Sequence, residues 1–237
     1  MSKAWKLKAE EALLEPDSQY VLSTAALMGL ARAQGEEPSD ATLHRWVKDL
    51  VAGRKLVQVS KGLYLNRLGH RNQDAAEAAQ WIRRGSVLSL SWVLERAGVL
   101  NNIGSTYTCI IPLEPSLSQP QTTRKEIPGI GTFRFHAMKA DLVDEAAGKT
   151  EDVFDQRFNY RRSTPEKALL DWIYLGHSHR SRLALPPLDM DVKELKKARL
   201  DRLARRMGMV GIYEDWMAHW HAYQNDAAVI ANDAGLL

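Results

Sequence analysis

Residues Ser39–Leu65 read SDATLHRWVKDLVAGRKLVQVSKGLYL. The stretch divides into a helix, a tight turn and a two-stranded ribbon. Ser39 or Asp40 caps the helix N-terminus. Leu43, Trp46, Val47 and Leu50 recur at i, i+3, i+4 and i+7, which puts them on one face. At about 100° per residue the opposite face centres on Ala41, Arg45 and Lys48, flanked by Thr42, His44 and Asp49. Gly53 stands where a left-handed residue ends a helix. Lys55–Val59 and Leu63–Leu65 flank Ser60-Lys61-Gly62, the pattern of a hairpin. A helix with a small, basic outer face followed at once by a hairpin predicts a winged helix-turn-helix. In that motif the helix enters the major groove and the hairpin rests on the DNA backbone. A helix and hairpin also occur in domains that only fold or only pair with protein.

Upstream, Lys3–Glu15 forms a first helix with Trp5, Ala9, Ala12 and Leu13 as its apolar stripe, broken by Pro16-Asp17-Ser18. Ser23-Thr24 caps a second helix over residues 25–33. Gln34–Pro38 makes the turn. The order helix, helix, turn, helix, hairpin completes the motif within residues 1–68. Its expected core is Leu22, Ala26, Leu27, Leu30, Leu43, Val47, Leu50, Leu56 and Tyr64. The polar segment 66–74 is read as a linker, giving two domains: a winged helix-turn-helix over 1–70 and an α+β domain over 71–237.

Downstream, residues 75–84 form a helix. Ser86–Gly98 reads as one short buried helix with a Gly stop. Tyr107–Ile111 is a strand closed by Pro112, and 112–121 a loop. Thr123–Ile127 and Thr132–His136 form a hairpin around Pro128–Gly131. Residues 154–161 add a strand. Ser163-Thr-Pro-Glu166 has the Ser-x-x-Glu capping-box pattern, and its helix runs 167–175 to a stop at Gly176. Residues 191–207 and 212–224 close the chain as two helices. The expected fold class is α+β, a winged helix followed by a mixed α/β domain.

With 45% hydrophobic and 26% charged residues in 237, the chain has an ordinary globular composition. A net charge of +3 permits nucleic acid without demanding it. A single cysteine, Cys109, excludes an intrachain disulfide. No run of about 18 apolar residues and no signal-peptide core is present, so a cytoplasmic protein without a membrane partner is expected.

The candidate DNA contacts are Thr42, His44, Arg45 and Lys48 on the helix, Arg54, Lys55 and Lys61 on the hairpin, and Ser23 and Thr24 at the start of the second helix. Arg45 is the best base reader, because a guanidinium bonds guanine O6 and N7 together. The lysines suit phosphates. A second basic surface is expected on 191–207, where Lys193, Lys196, Lys197, Arg199, Arg202, Arg205 and Arg206 face Asp191, Glu194 and Asp201: seven cations minus three acids, a net +4. It would touch flanking DNA or RNA, or simply be solvated while Leu195, Ala198, Leu203 and Met207 pack inward. His177-Ser-His179 and His219-Trp-His221 lack the ligands to complete a metal shell, so no metal or cofactor is expected. Glu166 is read as a cap and Asp171 as a helix-surface or packing residue. Ser89 and Ser91 lack the nucleophile-elbow glycines. No catalytic residue is assigned.

Four stretches together resemble the AbiEi family, the antitoxin half of the abortive-infection type IV toxin–antitoxin pairs. They are Leu43-His-Arg-Trp-Val-Lys-Asp-Leu-Val-Ala-Gly53, Val59-Ser-Lys-Gly-Leu-Tyr64, Val87-Leu-Ser-Leu-Ser-Trp-Val-Leu94 and Arg162-Ser-Thr-Pro-Glu-Lys-Ala-Leu-Leu-Asp171. The pattern spans roughly residues 20–175. Trp92 departs from it, standing where the family usually has a small residue. The resemblance implies an N-terminal winged helix that binds repeats in its own promoter and represses the operon. It also implies a C-terminal domain that opposes a nucleotidyltransferase-like toxin, with or without direct contact. The other readings are a winged-helix regulator whose second half senses a ligand or dimerises without a toxin partner, and a nucleic-acid enzyme that docks through the winged helix. The enzyme reading needs a clustered acidic or histidine site, and the sequence displays none.

Overall fold

The computed structural model describes residues 4–69, 73–101, 104–113, 122–143, 152–154 and 159–233. It is a mixed α+β chain with a three-stranded and a six-stranded sheet among those residues. It forms two compact units, Met1–Arg84 with Gln156–Asn159, and Gly85–Asp155 with Tyr160–Leu237.

In the first unit, α1 (Ala4–Leu14) buries Trp5, Ala9 and Leu13. β1 (Val21–Ser23) leads into α2 (Thr24–Ala33), whose first turn is capped by Ser23 accepting from the Ala26 amide at 3.1 Å. α3 (Asp40–Ala52) is capped by Ser39 and buries Leu43, Trp46, Val47 and Leu50, the stripe expected from its period. Trp46 meets Trp5 edge to face with ring centres 5.1 Å apart, which seats α3 on α1. β2 (Leu56–Ser60) and β3 (Leu63–Asn66) form the hairpin, and β1 pairs with β3 to give the order β1-β3-β2, antiparallel throughout. A bulge between Gln58 and Ser60 turns Val59 into the core. Asn66, 1% exposed, donates to the Leu13 carbonyl at 2.9 Å and ties β3 to the end of α1.

The end of α3 differs from expectation. Gly53 has φ −77, and Arg54 takes the left-handed position at φ 56. The Lys55 amide donates to the Leu50 carbonyl and the Arg54 amide to that of Val51, so the helix closes in a Schellman motif one residue later than predicted. The expected boundary at residue 70 falls inside the first unit. A 3-10 turn at Ala75–Glu77 runs into α4 (Ala78–Ile82), which packs on β2.

In the second unit the sheet order is β6-β7-β5-β4-β9-β8. Ser86–Gly98 is not one helix. β4 (Val87–Leu88) turns through Leu90, at φ 59 and ψ −140, into α5 (Ser91–Arg96). Thr108 holds that elbow by donating to the Ser89 carbonyl at 2.6 Å and accepting from the Trp92 amide at 3.0 Å. β5 (Thr106–Leu113) runs through Pro112 rather than ending at it. On β5, β4 pairs with Ile110 and Cys109, so Pro112 lies beyond the neighbour that would have needed its amide. β6 (Thr122–Ile127) and β7 (Gly131–Lys139) are the expected hairpin, and β7 pairs parallel with β5. Most of the loop expected at 112–121 lies outside the described residues. After α6 (Ala140–Val143), the strand expected at 154–161 resolves into two, β8 (Asp152–Phe154) and β9 (Arg161–Ser163), paired antiparallel.

α7 (Pro165–His177) continues through Gly176, where an added Cβ would lie 3.0 Å from the Leu185 Cα, so this glycine serves close packing and not a stop. Residues 191–207 are not one helix either. A 3-10 turn at Val192–Glu194 precedes α8 (Lys197–Arg206), which buries Leu200, Leu203 and Ala204 and leaves Ala198 exposed. α9 (Val210–Asp233) is the last described element of the unit. Its core gathers Val87, Leu90, Ile110, Met138 and Leu175.

Candidate nucleic-acid interface

The outward face of α3 carries His44, Arg45 and Lys48, all exposed and without an ion pair among the described residues. Asp49 is exposed beside them, so the local charge is modest. Lys61 is exposed at the hairpin tip next to Gly62, whose φ of 77 makes the turn. Arg54 is exposed at the end of α3.

The remaining candidates are engaged within the fold. Ser23 and Thr42 are half-buried at helix starts, where Ser23 caps α2 and the Thr42 hydroxyl lies 3.0 Å from that of Ser39. The Thr24 amide donates to the Gly62 carbonyl at 2.9 Å and pins the hairpin tip to α2. Lys55 pairs with Glu10 of α1, which also accepts from Trp46 Nε1 at 3.3 Å. Its ammonium therefore anchors the hairpin to α1. The fold brings His44, Arg45 and Lys48 onto one surface, with Arg54 and Lys61 from neighbouring loops of the same unit.

The basic segment of the second unit is partly neutralised. Lys197 pairs with Asp201 at 2.9 Å, and Arg199 approaches Glu166 at 3.5 Å. Arg202 and Arg206 are also engaged. Lys193, Lys196 and Arg205 are exposed.

Glu166 differs from its expected role, and Asp171 is a buried packing residue, the second of its two expected roles, not a helix-surface one. Thr164, not Ser163, caps α7, accepting from the Lys167 amide at 3.4 Å. Glu166 is 5% exposed and accepts from the Lys196 amide at 3.3 Å, outside its own helix. Asp171 is fully buried, pairs with Lys167, and accepts from the hydroxyls of Ser89 at 2.7 Å and Ser163 at 3.4 Å. Burial raises the Asp171 pKa, and the Lys167 ammonium, then the two hydroxyls, oppose it. The elbow after β4 has the strained backbone of a nucleophile turn, but Leu90 occupies it. Burial also pushes the Cys109 thiol up. Among the described residues no three His, Cys, Asp or Glu side chains come together to hold a metal ion. No helix among them is long and apolar enough to cross a membrane.

The sequence reading passed over Arg124, Arg134, Arg180 and Arg182, which the second unit gathers on one cleft. The expected turn over 128–131 would pair Arg134 with Lys125; the hairpin closes one residue tighter, with Ile127 opposite Gly131, and so sets Arg124 opposite Arg134.

No protein-family model matches this chain, and no curated protein matches it. Among solved structures it is similar to the crystal structure of the RV2827C protein from Mycobacterium tuberculosis, with a TM-score of 0.54 and 14% identity over 90% of this chain and 78% of that one. At that identity the likeness concerns the fold alone.

Proposed function

We propose that the first unit is a winged helix that binds double-stranded DNA, with α3 in the major groove and the β2–β3 hairpin on the backbone. One observation carries this reading: α3 keeps His44, Arg45 and Lys48 exposed and unpaired while its other face is buried. Arg45 reads a base edge. Lys48, Lys61 and Arg54 meet phosphates. Arg45→Ala should relax sequence choice at one or two positions and weaken operator binding by about 1–3 kcal/mol. A footprint of Arg45→Ala identical to wild type would sink the assignment.

We further propose that the protein represses its own operon and acts, without catalysis, as the antitoxin to a nucleotidyltransferase-like toxin encoded beside it. The four AbiEi-like stretches support this. Two of them, Val87–Leu94 and Arg162–Asp171, meet in the Ser89–Asp171 hydrogen bond. Co-expression with the neighbouring gene tests it: growth should be rescued by this chain and by its second unit's intact network. Absence of a toxic neighbour favours the alternative, a regulator whose second unit senses a ligand, which the arginine-lined cleft supports.

A further inference from the structure

A cleft of about 630 Å³ opens beside the β6–β7 ladder. Register and alternation build one wall. Thr122 pairs with His136 and Arg124 with Arg134, so all four side chains share one face. The loop after α7 brings Arg180 and Arg182 to the other wall. That loop is fastened by Ser181, 4% exposed. Its hydroxyl donates to the Leu175 carbonyl and accepts from the Leu183 amide at 3.2 Å. Its carbonyl accepts from Thr122 Oγ1 at 3.2 Å. Arg182 is held left-handed at φ 52, a conformation a non-glycine residue keeps only where its surroundings impose it.

Four guanidiniums on one cleft repel one another, and Arg124 directly opposite Arg134 is an unfavourable cross-strand pair. Arg124 pairs with Glu126 at 2.9 Å, both groups largely exposed. Arg134, Arg180 and Arg182 have no carboxylate partner among the described residues. A bound anion would relieve that repulsion, and guanidiniums match phosphate in a two-pronged geometry.

His136 adds a second, independent mark. It is 3% exposed, lines the cleft, and its Nε2 has no hydrogen-bond partner. Thr122 Oγ1 gives its one proton to the Ser181 carbonyl, so it accepts from His136 Nδ1, 3.4 Å away. Nε2 is then the lone-pair nitrogen, and a buried acceptor calls for a donor. A second cavity of about 420 Å³ shares Arg134, His136 and Leu183, and adds the apolar Leu90, Trp172 and Pro187 together with the Glu95 carboxylate and the Thr106 hydroxyl. The guanidiniums gather in the first cavity, Arg134 and His136 line both, and the second has more apolar residues in its lining, with one carboxylate among them.

We propose that these adjoining cavities bind a free nucleotide. Its phosphates lie against Arg134, Arg180 and Arg182, a sugar or base N–H or O–H donates to His136 Nε2, and the base rests on the apolar part. Both volumes fall within the roughly 300–1,000 Å³ of small-molecule sites. The phosphate chemistry is shared with the end of a nucleic-acid chain, which the test separates. The inference does not depend on DNA binding by the first unit.

The test is calorimetric titration of the full chain with each of the four ribonucleoside triphosphates, with pyrophosphate, and with a short single-stranded RNA. At least one nucleotide should saturate one site per chain and bind tighter than pyrophosphate. Arg134→Gln and Arg182→Gln, both exposed positions, should each weaken it about tenfold or more without lowering the melting temperature, because each also relieves repulsion in the empty cleft. His136→Phe should weaken the nucleotide and leave pyrophosphate unchanged. Should His136→Phe not fold, the two arginine variants decide alone. No saturation at millimolar nucleotide, unchanged affinity in the arginine variants, or RNA binding tighter than every nucleotide overturns the proposal. Operator binding lost with nucleotide binding intact would count only against the winged-helix reading.

Discussion

Ser89 Oγ donates to Asp171 Oδ2 at 2.7 Å, joining residues 82 positions apart at a fully buried point. Ser89 follows β4, Asp171 sits in mid-α7, and Ser163 closes β9. Lys167, one helical turn before Asp171, supplies the countercharge. Three elements of the second unit are thereby locked to one carboxylate.

Removing one member should therefore cost far more than removing the pair. Asp171→Ala leaves an uncompensated buried ammonium and should destabilise the protein by about 3–5 kcal/mol in urea unfolding. The double variant Lys167→Met with Asp171→Leu should recover much of that loss. A loss under about 1 kcal/mol for Asp171→Ala would contradict the network's role.

His136 makes stability depend on pH. Burial, and then the nearby Arg134, depress its imidazole from an ordinary 6.5 to about 4. Above pH 6.5 both folded and unfolded states are neutral here, and stability is at its full value. As pH falls below 6.5 the unfolded chain takes up the proton first, so stability declines through pH 4. At about 1.4 kcal/mol per pKa unit the fall approaches about 3 kcal/mol. His136→Gln should flatten unfolding midpoints between pH 6.5 and 4.5, before most carboxylates titrate. Parallel pH profiles for the two proteins would rule this out.

The end of α3 separates two residues that sequence alone confuses. Arg54 is the left-handed one, so Arg54→Gly should stabilise by about 1 kcal/mol. Gly62 has φ 77, and an added Cβ would stand 3.1 Å from Thr24 Oγ1. Gly62→Ala should destabilise by about 1–2 kcal/mol. Thermal melts of both variants decide the assignment.

Lysines near the proposed groove should divide into two kinds. Lys48→Ala and Lys61→Ala should each lower the salt slope of DNA binding by about one. Lys55→Met should lower stability, because Lys55 anchors the hairpin to Glu10, and leave the slope nearly unchanged. A slope falling equally for all three would show Lys55 free to meet phosphate.

The three helices and the hairpin of the first unit were legible because their signals are local. The spacing of Leu43, Trp46, Val47 and Leu50 fixes one helix face, and Gly62 marks the hairpin turn. The pairing of β1 with β3, the bulge between Gln58 and Ser60 and the extension of the unit to Arg84 depend on tertiary contacts and were not. The second unit was less so. Nothing in composition says that Leu90 will occupy a backbone region favoured by glycine, so Val87–Leu88 and Ser91–Arg96 merged into one helix. Apolar residues keep a helical rhythm across Leu195, which concealed the break before α8. Glu166 matches a capping box, yet its acceptor is used thirty residues away at Lys196. The arginine cleft was not legible. A turn over 128–131 sets Lys125 opposite Arg134, and Arg124 takes that place only because the hairpin closes one residue tighter, with Ile127 opposite Gly131. Arg180 and Arg182 arrive through a loop whose position depends on the tertiary contact between Thr122 and Ser181.

The most direct test of DNA recognition by the first unit is titration of the protein and of Arg45→Ala against the DNA upstream of its gene. It should be run at two salt concentrations with scrambled competitor. Wild type should bind tightly, survive competitor and lose affinity steeply with salt, and Arg45→Ala should lose discrimination by about 1–3 kcal/mol. Wild-type binding no tighter to upstream DNA than to scrambled DNA would contradict sequence-specific recognition by α3.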